Sequence, residues 1–349
     1  MMYSQKWLLS LLLVAGTVVF VLLPSNQSNS PPREKKSSPN DKTEASFFES
    51  VDPSTMSFKE FEKSLQYDRV NLTMANYQRS YLIQRPPEGV CDGVEMVVYI
   101  MSMADEKSYK QREAIRNQIK EQNLTHSIIV RFFLGKLEDF RVDLIVPEIR
   151  EFNDLVYYNV REFYRDNFIK WHSMHFWHSQ YCPQVPYFLK LDDDTSVYFP
   201  RLFYWIGKNF DGRTTNLDKY FLCPEMRGFR PVRDRNNVRW YISRLEWPRT
   251  YWPTYCYGYF VLTTNKTVDI LLNTTKETKL LHMDDVMFTG VMAEKADIPV
   301  VHFPGVVPRI AQDRHCGSGR VPLRIAVHNS KTPLRWRYDA ARIRRTYCV

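Results

Sequence analysis

Apolar residues occur along this chain in short runs of about six to nine, alternating with longer stretches where they recur every three or four positions. Val94-Glu95-Met96-Val97-Val98-Tyr99-Ile100-Met101 and Ser127–Gly135 read as buried strands, as do Leu155–Val160 and Val185–Leu191. Between them, Lys107–Glu121 and Arg161–Gln180 have helical spacing, the second through Phe168, Trp171, His175 and Trp177. Strand and helix in alternation predict an α/β fold whose mostly parallel sheet is covered on both faces. Ligands of such sheets bind beyond the carboxyl ends of the strands. The run Val185–Leu191 delivers Asp192, Asp193 and Asp194 there. Three adjacent carboxylates repel one another, so they form either a solvated acidic turn or a site for a hard divalent cation.

The ends of the pattern set the organisation. Residues 7–23 contain no charge and as a helix span roughly 26 Å. The run ends Val21-Leu22-Leu23-Pro24-Ser25 without a small-x-small site, which favours an uncleaved anchor over a cleaved signal peptide. The expected plan is a cytoplasmic tail at 1–6, a transmembrane anchor at 7–23, a lumenal stem at 24–89 and a catalytic domain at 90–349. From Pro24 to about Asn40 the chain is rich in Ser, Pro, Asn and Lys, as a stem is. Asn-x-Ser/Thr acceptors at Asn26, Asn71, Asn123, Asn265 and Asn273 agree with a lumenal body. So do the six cysteines, all beyond the anchor and suited to disulfides, with the pairing open. No CxxC spacing occurs, which argues against zinc.

Other polar residues have two readings each. His172, His175 and His178 share a helix face and fit packing among aromatics better than a metal site, because no carboxylate is near in sequence. Arg112 and Arg116, one helical turn apart, form either a surface pair or a grip on an anionic ligand. Lys190 is a counter-charge to the acidic triplet or a ligand contact. Asp284 and Asp285 precede an apolar helical stretch, so they cap a helix, act on a ligand, or do both. Trp240, Tyr241, Trp247 and Trp252 are aromatics of the kind that stack on sugars or fill a core. The net charge of +9 is dispersed apart from the Arg335–Arg345 stretch. With a lumenal address it suits an anionic ligand other than nucleic acid.

From Glu95 to Thr332 the chain resembles the secretory-pathway β1,3-galactosyltransferase and β1,3-N-acetylglucosaminyltransferase family. The resemblance is carried in order by Arg112-Glu113-Ala114-Ile115-Arg116, Phe132-Phe133-Leu134-Gly135, and the series Glu148, Asp154, Tyr164, Lys170, Trp177, Cys182-Pro183. It continues through Tyr187–Asp194, Pro231–Asp234, Trp240–Ser243, Trp252–Gly258, Asp284–Gly290 and Val327-His328. The resemblance implies a GT-A type nucleotide-sugar-binding fold and an inverting transfer of a hexose, galactose first, from a UDP-sugar to a glycan acceptor hydroxyl on a glycoprotein, glycolipid or proteoglycan. It implies a single-pass type II Golgi membrane protein. Asp194 and His328 would hold Mn²⁺, with Asp192 contributing to the metal or, with Asp193, contacting ribose or metal-bound water. Arg112, Arg116 and Lys190 would bind the donor, and Asp285 would be the general base. The family's Glu is Asp284 here, its Thr-Trp after the arginine helix is Asn117-Gln118, and its two glycines after Cys256 are reduced to Gly258. An inactive relative serving as a lectin or chaperone is the alternative, and a metal-dependent phosphoesterase is a third reading.

Overall fold

The structure is a computed structural model that describes Asp52 and residues 54–309 and 315–348. The stretch expected to be an anchor, 7–23, lies outside these residues, as do the tail at 1–6 and Asn26. Among the described residues no helix is long and apolar enough to cross a membrane.

The strands are β1 (Tyr67–Met74), β2 (Tyr77–Gln84), β3 (Met96–Met101), β4 (Ile128–Lys136), β5 (Leu155–Arg161), β6 (Tyr187–Asp192), β7 (Ser196–Val197), β8 (Phe221–Cys223), β9 (Glu225–Met226), β10 (Tyr255–Cys256), β11 (Phe260–Thr264), β12 (Val300–His302), β13 (Val306–Val307) and β14 (Ala326–Val327). The helices are α1 (Phe58–Ser64), α2 (Glu106–Lys120), α3 (Val142–Phe152), α4 (Asn167–Tyr181), α5 (Phe199–Gly207), α6 (Asn265–Thr274), a helical segment α7 over 284–295 with a π turn at Met287–Val291, and α8 (Pro333–Arg344).

A nine-stranded sheet runs in the order β1-β2-β5-β4-β3-β6-β11-β8-β12. Only β2 and β11 run against the others, so the mostly parallel sheet read from the alternation is present. Its faces follow the period-2 rule although both are apolar. Met96, Val98 and Ile100 of β3 pack with Ile115 of α2, Ile145 and Ile149 of α3 and Trp205 of α5. Val97 and Tyr99 face the opposite way, onto Trp171 and Trp177 of α4, Val268 of α6 and Phe288 of α7.

The folded unit begins well before residue 90, where the stem was expected to end. Helix α1 carries a complete capping box between Ser57 and Glu60, and its Phe61 is fully buried. The hairpin β1–β2 extends the sheet beside β5, burying Val70, Leu72, Tyr81 and Ile83. Its polar positions alternate with the buried ones, so along the chain it shows only scattered apolar residues and was placed in the stem. Helix α3 was also not expected, because Pro147 lies inside it. Its Val142, Ile145, Val146 and Ile149 nevertheless keep i, i+3, i+4, i+7 spacing toward the core. Helix α4 starts at Asn167 instead of Arg161. Arg161 ends β5 opposite Lys136, and the Glu162 side chain accepts from the Gly135 N–H and pairs with Lys170.

Three disulfides are present: Cys91–Cys182, Cys223–Cys256 and Cys316–Cys348. The first ties the approach to β3 to the end of α4, and the second closes the segment between β8 and β10.

A second sheet, β13-β14-β7, stands at the carboxyl edge of the first. Gly305 allows it to form, because its carbonyl accepts from the Ile325 and Ala326 N–H groups while a β-carbon there would overlap the Leu323 carbonyl and the Phe303 ring. Gly305→Ala is expected to cost about 3 kcal/mol, read as a fall in the thermal midpoint. An unchanged midpoint would show that the backbone yields there.

Candidate metal and nucleotide-sugar site

At the carboxyl edge the chain turns sharply after β6. The Thr195 N–H closes on the Asp192 carbonyl at 3.1 Å, and β7 then pairs antiparallel with β14, Ser196 opposite Val327. That register sets the next residue of the far strand, His328, against Asp194. His328 Nε2 lies 3.0 Å from Asp194 Oδ1, and the Ser330 N–H donates to the Asp194 carbonyl at 2.8 Å. The imidazole stacks on Tyr259, with centroids 4.2 Å apart and planes 3° from parallel. Asp192, Asp194 and His328 each direct a ligand atom to one place, all within 4.8 Å of one another. Two carboxylates and an imidazole make a donor set suited to a divalent first-row cation, so these residues fit the expected metal.

Lys190 lies in β6 two residues before Asp192, on the same side of the strand. Its Nζ is 2.6 Å from Asp192 Oδ1 and 2.6 Å from the Gly258 carbonyl, and it sits 4.8 Å from the Trp171 ring centroid. It is therefore the counter-charge read from the sequence. Asp193 is pushed up to about 7 by burial and by the flanking Asp192 and Asp194 charges.

The pocket has a volume of about 850 Å³ and is lined by the acidic triplet, Lys190, Gly258, Asp284, Asp285 and His328. Asp284 and Asp285 open α7 and line the pocket, but neither is its N-cap: that position is Met283, with no side-chain cap bond. Asp285 Oδ1 accepts from the Val286 N–H at 2.8 Å, and its carbonyl accepts from Thr289 Oγ1 at 2.6 Å. Gly258 packs against this carboxylate; a β-carbon there would lie 3.2 Å from Asp285 Cβ. Burial first, then the adjacent Asp284 charge, raises Asp285 to about 7. Asp284 is raised too, by burial, with Lys190 pulling it back.

Arg112 and Arg116 do not enter the pocket. Arg112 is fully buried; Nε and Nη2 form a fork on Glu148 at 2.7 and 2.6 Å, and Nη1 donates to Ser102 Oγ and the Met103 carbonyl. Arg116 bonds Glu148 and Asp154 and stacks 4.0 Å from the Phe152 ring centroid. The pair therefore braces the end of β3, where Ser102 and Met103 line the pocket. Donor binding by this pair was expected because the partner carboxylates lie on α3 and before β5, far along the chain.

The histidines of α4 are buried and held neutral. Burial lowers His172 and His178 to about 4 and carries His175 well below its ordinary value. His172 Nδ1 meets the Tyr81 hydroxyl at 2.9 Å and His178 Nδ1 the Tyr99 hydroxyl at 3.0 Å. They are core residues.

Several lining residues lack a role in the sequence reading. Lys170 pairs with Glu162 at 2.7 Å and donates to the Ser102 carbonyl. Lys331 follows His328 by three positions. Tyr164 accepts from Trp240 Nε1 at 3.0 Å, and the Arg239 guanidinium lies 3.8 Å from the Tyr164 ring centroid. The four aromatics divide: Trp240 is exposed at the pocket rim, Tyr241 is half-buried, and Trp247 and Trp252 are buried and pack together at 5.1 Å. Apart from the motif order, no local pattern distinguishes a rim tryptophan from a core one.

Asn71, Asn123 and Asn273 are exposed. Asn265 opens α6 and donates to the Pro183 carbonyl, while Thr267 of its acceptor motif is fully buried.

A mostly parallel sheet with a clustered carboxylate–imidazole set at its carboxyl edge defines an α/β protein whose pocket could hold a divalent cation. The Galactosyltransferase family matches residues 110–304, and the chain belongs to that family. Human β1,3-galactosyltransferase 2 is 25% identical over 234 residues, 66% of this chain and 54% of that protein. Mouse β1,3-galactosyltransferase 1 is 26% identical over 221 residues, 62% of this chain and 65% of that protein. The chain thus spans between about half and two thirds of the length of these relatives. Among solved structures, the galactosyltransferase LgtC in complex with donor and acceptor sugar analogs aligns with a TM-score of 0.36 at 9% identity, covering 67% of this chain and 86% of that one. Mouse xyloside xylosyltransferase 1 in its apo form aligns with a TM-score of 0.31 at 12% identity, covering 63% and 89%. The family assignment rests on the sequence match.

Proposed function

We propose that this protein is a GT-A type inverting β1,3-hexosyltransferase that moves galactose from UDP-galactose to a hydroxyl of a glycan acceptor. The observation that carries this reading is the placement of two carboxylate groups around one pocket, with Lys190 and Gly258 between them. One group, Asp192, Asp194 and His328, would hold Mn²⁺, with imidazole favouring it over Mg²⁺. When bound, the ion supplies Lewis-acid neutralisation of the charge that develops on the diphosphate leaving group.

The chain's own residues supply the rest. Asp193 and Lys190 face the nucleotide side, and Lys331 adds a positive charge beside the metal ligands. On the other side, Asp285 takes the acceptor hydroxyl's proton as that oxygen attacks the anomeric carbon. The new C–O bond forms on the face opposite the departing diphosphate, so the configuration inverts. Glu148, through Arg112, holds the Ser102–Met103 backbone that floors the pocket.

The uncharged stretch at 7–23, the three disulfides and the exposed Asn71, Asn123 and Asn273 support a type II Golgi membrane protein with a lumenal catalytic domain. Glycosidase-sensitive mass on the mature protein tests that placement. Asn265 is not expected to carry a glycan.

The function is tested with the purified full chain, Mn²⁺ and a panel of UDP-sugars, reading UDP release and the linkage of the product. β1,3-Galactoside formation that stops on chelation and resumes with Mn²⁺ supports it. Glycan binding without turnover on any donor would sink it. Asp194→Ala is expected to cost several kcal/mol of barrier lowering, roughly a hundredfold or more in rate. Its Mn²⁺ affinity, read by paramagnetic resonance of the free ion, should fall as well.

A further inference from the structure

The disulfide Cys223–Cys256 closes a segment, 227–254, that reaches over one side of the pocket and lines it through Val232, Arg239 and Trp240. This segment is strongly basic. Arg227 and Arg249 pair with Glu225 and Glu294 at its ends. Arg233 is spent on the carbonyls of Ile242, Trp247 and Arg249, and fastens the segment to itself. Arg235, Arg239 and Arg244 are exposed and have no carboxylate partner among the described residues. The segment's two acids are engaged locally: Asp234 accepts from the Asn236 N–H, and Glu246 accepts from the Ser243 N–H and hydroxyl.

Arg239 is the one of these three that reaches the pocket. Its guanidinium carbon lies 3.8 Å from the Tyr164 ring centroid and the group also bonds the phenol, and the neighbouring indole of Trp240 is anchored by its N–H to the same phenol. A guanidinium carries five N–H donors, so those not spent on the phenol remain for a ligand. The platform adjoins the Asp284–Asp285 side of the pocket: His282, just before this pair, meets Arg165, which also donates to the Val238 carbonyl of the segment. The metal ligands lie across Lys190 and Gly258.

Given the transfer reaction proposed above, on which this inference rests, we infer that the acceptor is an anionic glycan. A sugar next to the reacting hydroxyl lays its C–H face on Trp240, and its carboxylate or sulfate oxygens accept from Arg239. Arg235 and Arg244 extend the positive field along the remainder of the chain. A neutral acceptor would leave this guanidinium without an anion, whereas Lys170 and Lys190 have Glu162 and Asp192 at 2.7 and 2.6 Å.

The test compares three acceptors with the purified full chain: a neutral disaccharide, the same disaccharide with a uronic-acid carboxylate, and the same with a sulfate ester. One charge-assisted hydrogen bond predicts about tenfold higher kcat/KM for an anionic acceptor over the neutral one at low salt. The preference should shrink as salt rises. Arg239→Gln should remove the preference while leaving the donor KM and the rate on the neutral acceptor in place, and Arg239→Lys should restore part of it. Comparing carboxylate with sulfate identifies which anion is read. Equal use of all three acceptors overturns the inference, as does an equal loss on all three in Arg239→Gln. So does binding of the full chain to phosphatidylserine vesicles through these arginines without any acceptor preference. Transfer to the neutral acceptor with UDP release would leave the transferase reading intact in each of those cases; absence of transfer to any acceptor would instead bring down that reading.

Discussion

Asp285→Asn is expected to lose sugar transfer by about 10²–10⁴-fold in kcat while still binding UDP. The geometry leaves little room for another outcome. Oδ1 of Asp285 is held by the Val286 N–H, and the backbone carbonyl by Thr289, so Oδ2 is the atom presented to the pocket. Gly258 has no side chain to cover it. A carboxamide of the same shape keeps the packing and cannot accept the proton.

The same residue sets the pH profile. Burial and Asp284 raise Asp285 to about 7, and a base works when deprotonated, so kcat/KM should climb as pH rises through about 7 and then level. Because Asp284 and Asp285 interact, the inflection belongs to the pair. The stability effect has the opposite sign. A carboxyl whose value is raised on folding favours the fold when protonated; that contribution is complete below its ordinary range and is lost as pH rises through its folded value. Asp285→Asn should therefore have a higher thermal midpoint than the parent at pH 8, with the difference vanishing near pH 4. Single-turnover rates and thermal unfolding of the two proteins measure both effects. Near-normal turnover by the Asn variant would end the assignment of the base.

Glu148→Gln should be severely destabilising, by about 3–5 kcal/mol. Glu148 and the Arg112 side chain are both fully buried, and Glu148 also accepts from Arg116 at 2.6 Å. Arg116 retains Asp154 after the change. Arg112 retains only the Ser102 hydroxyl and the Met103 carbonyl. A buried guanidinium without its carboxylate loses the interaction that offset its desolvation, and the new amide points donors at it. The thermal midpoint should drop by roughly 10 °C. The double change Arg112→Met with Glu148→Leu should recover much of the loss, since it removes both charges together. The same pair of residues separates bracing from ligand binding. If Arg112→Lys raised the donor KM without lowering the midpoint, the buried brace would be the wrong account and a donor contact the right one.

Much of this was legible along the chain because its causes are local. The strand β6 ends in three aspartates wherever the rest of the chain lies, and their mutual repulsion follows from covalent adjacency. The Asp284-Asp285 pair likewise reads as a helix start, and the Lys190–Asp192 contact follows from i, i+2 residues sharing one side of a strand. Order of motifs then placed His328 with Asp194 before any contact was known. Motif order failed for Arg112 and Arg116, since proximity of two guanidinium groups says nothing of which carboxylates reach them. The hairpin β1–β2 lies before the first motif, and its exposed positions look like a stem until β5 is beside them.

By itself the sequence determined the alternation of strand and helix, the acidic tip of β6 and the family to which the chain belongs, because each is written in short-range periodicity or in residue order. Tertiary structure alone decided which charges are neutralised by burial partners and which stay open to a ligand. It sent Arg112 and Arg116 inward to Glu148 and Asp154, kept three histidines neutral in the core, and separated Trp240 from Trp247 and Trp252. The physical reason is that a charged or aromatic side chain takes its role from the dielectric and the partners around it, and those are supplied by residues distant in sequence.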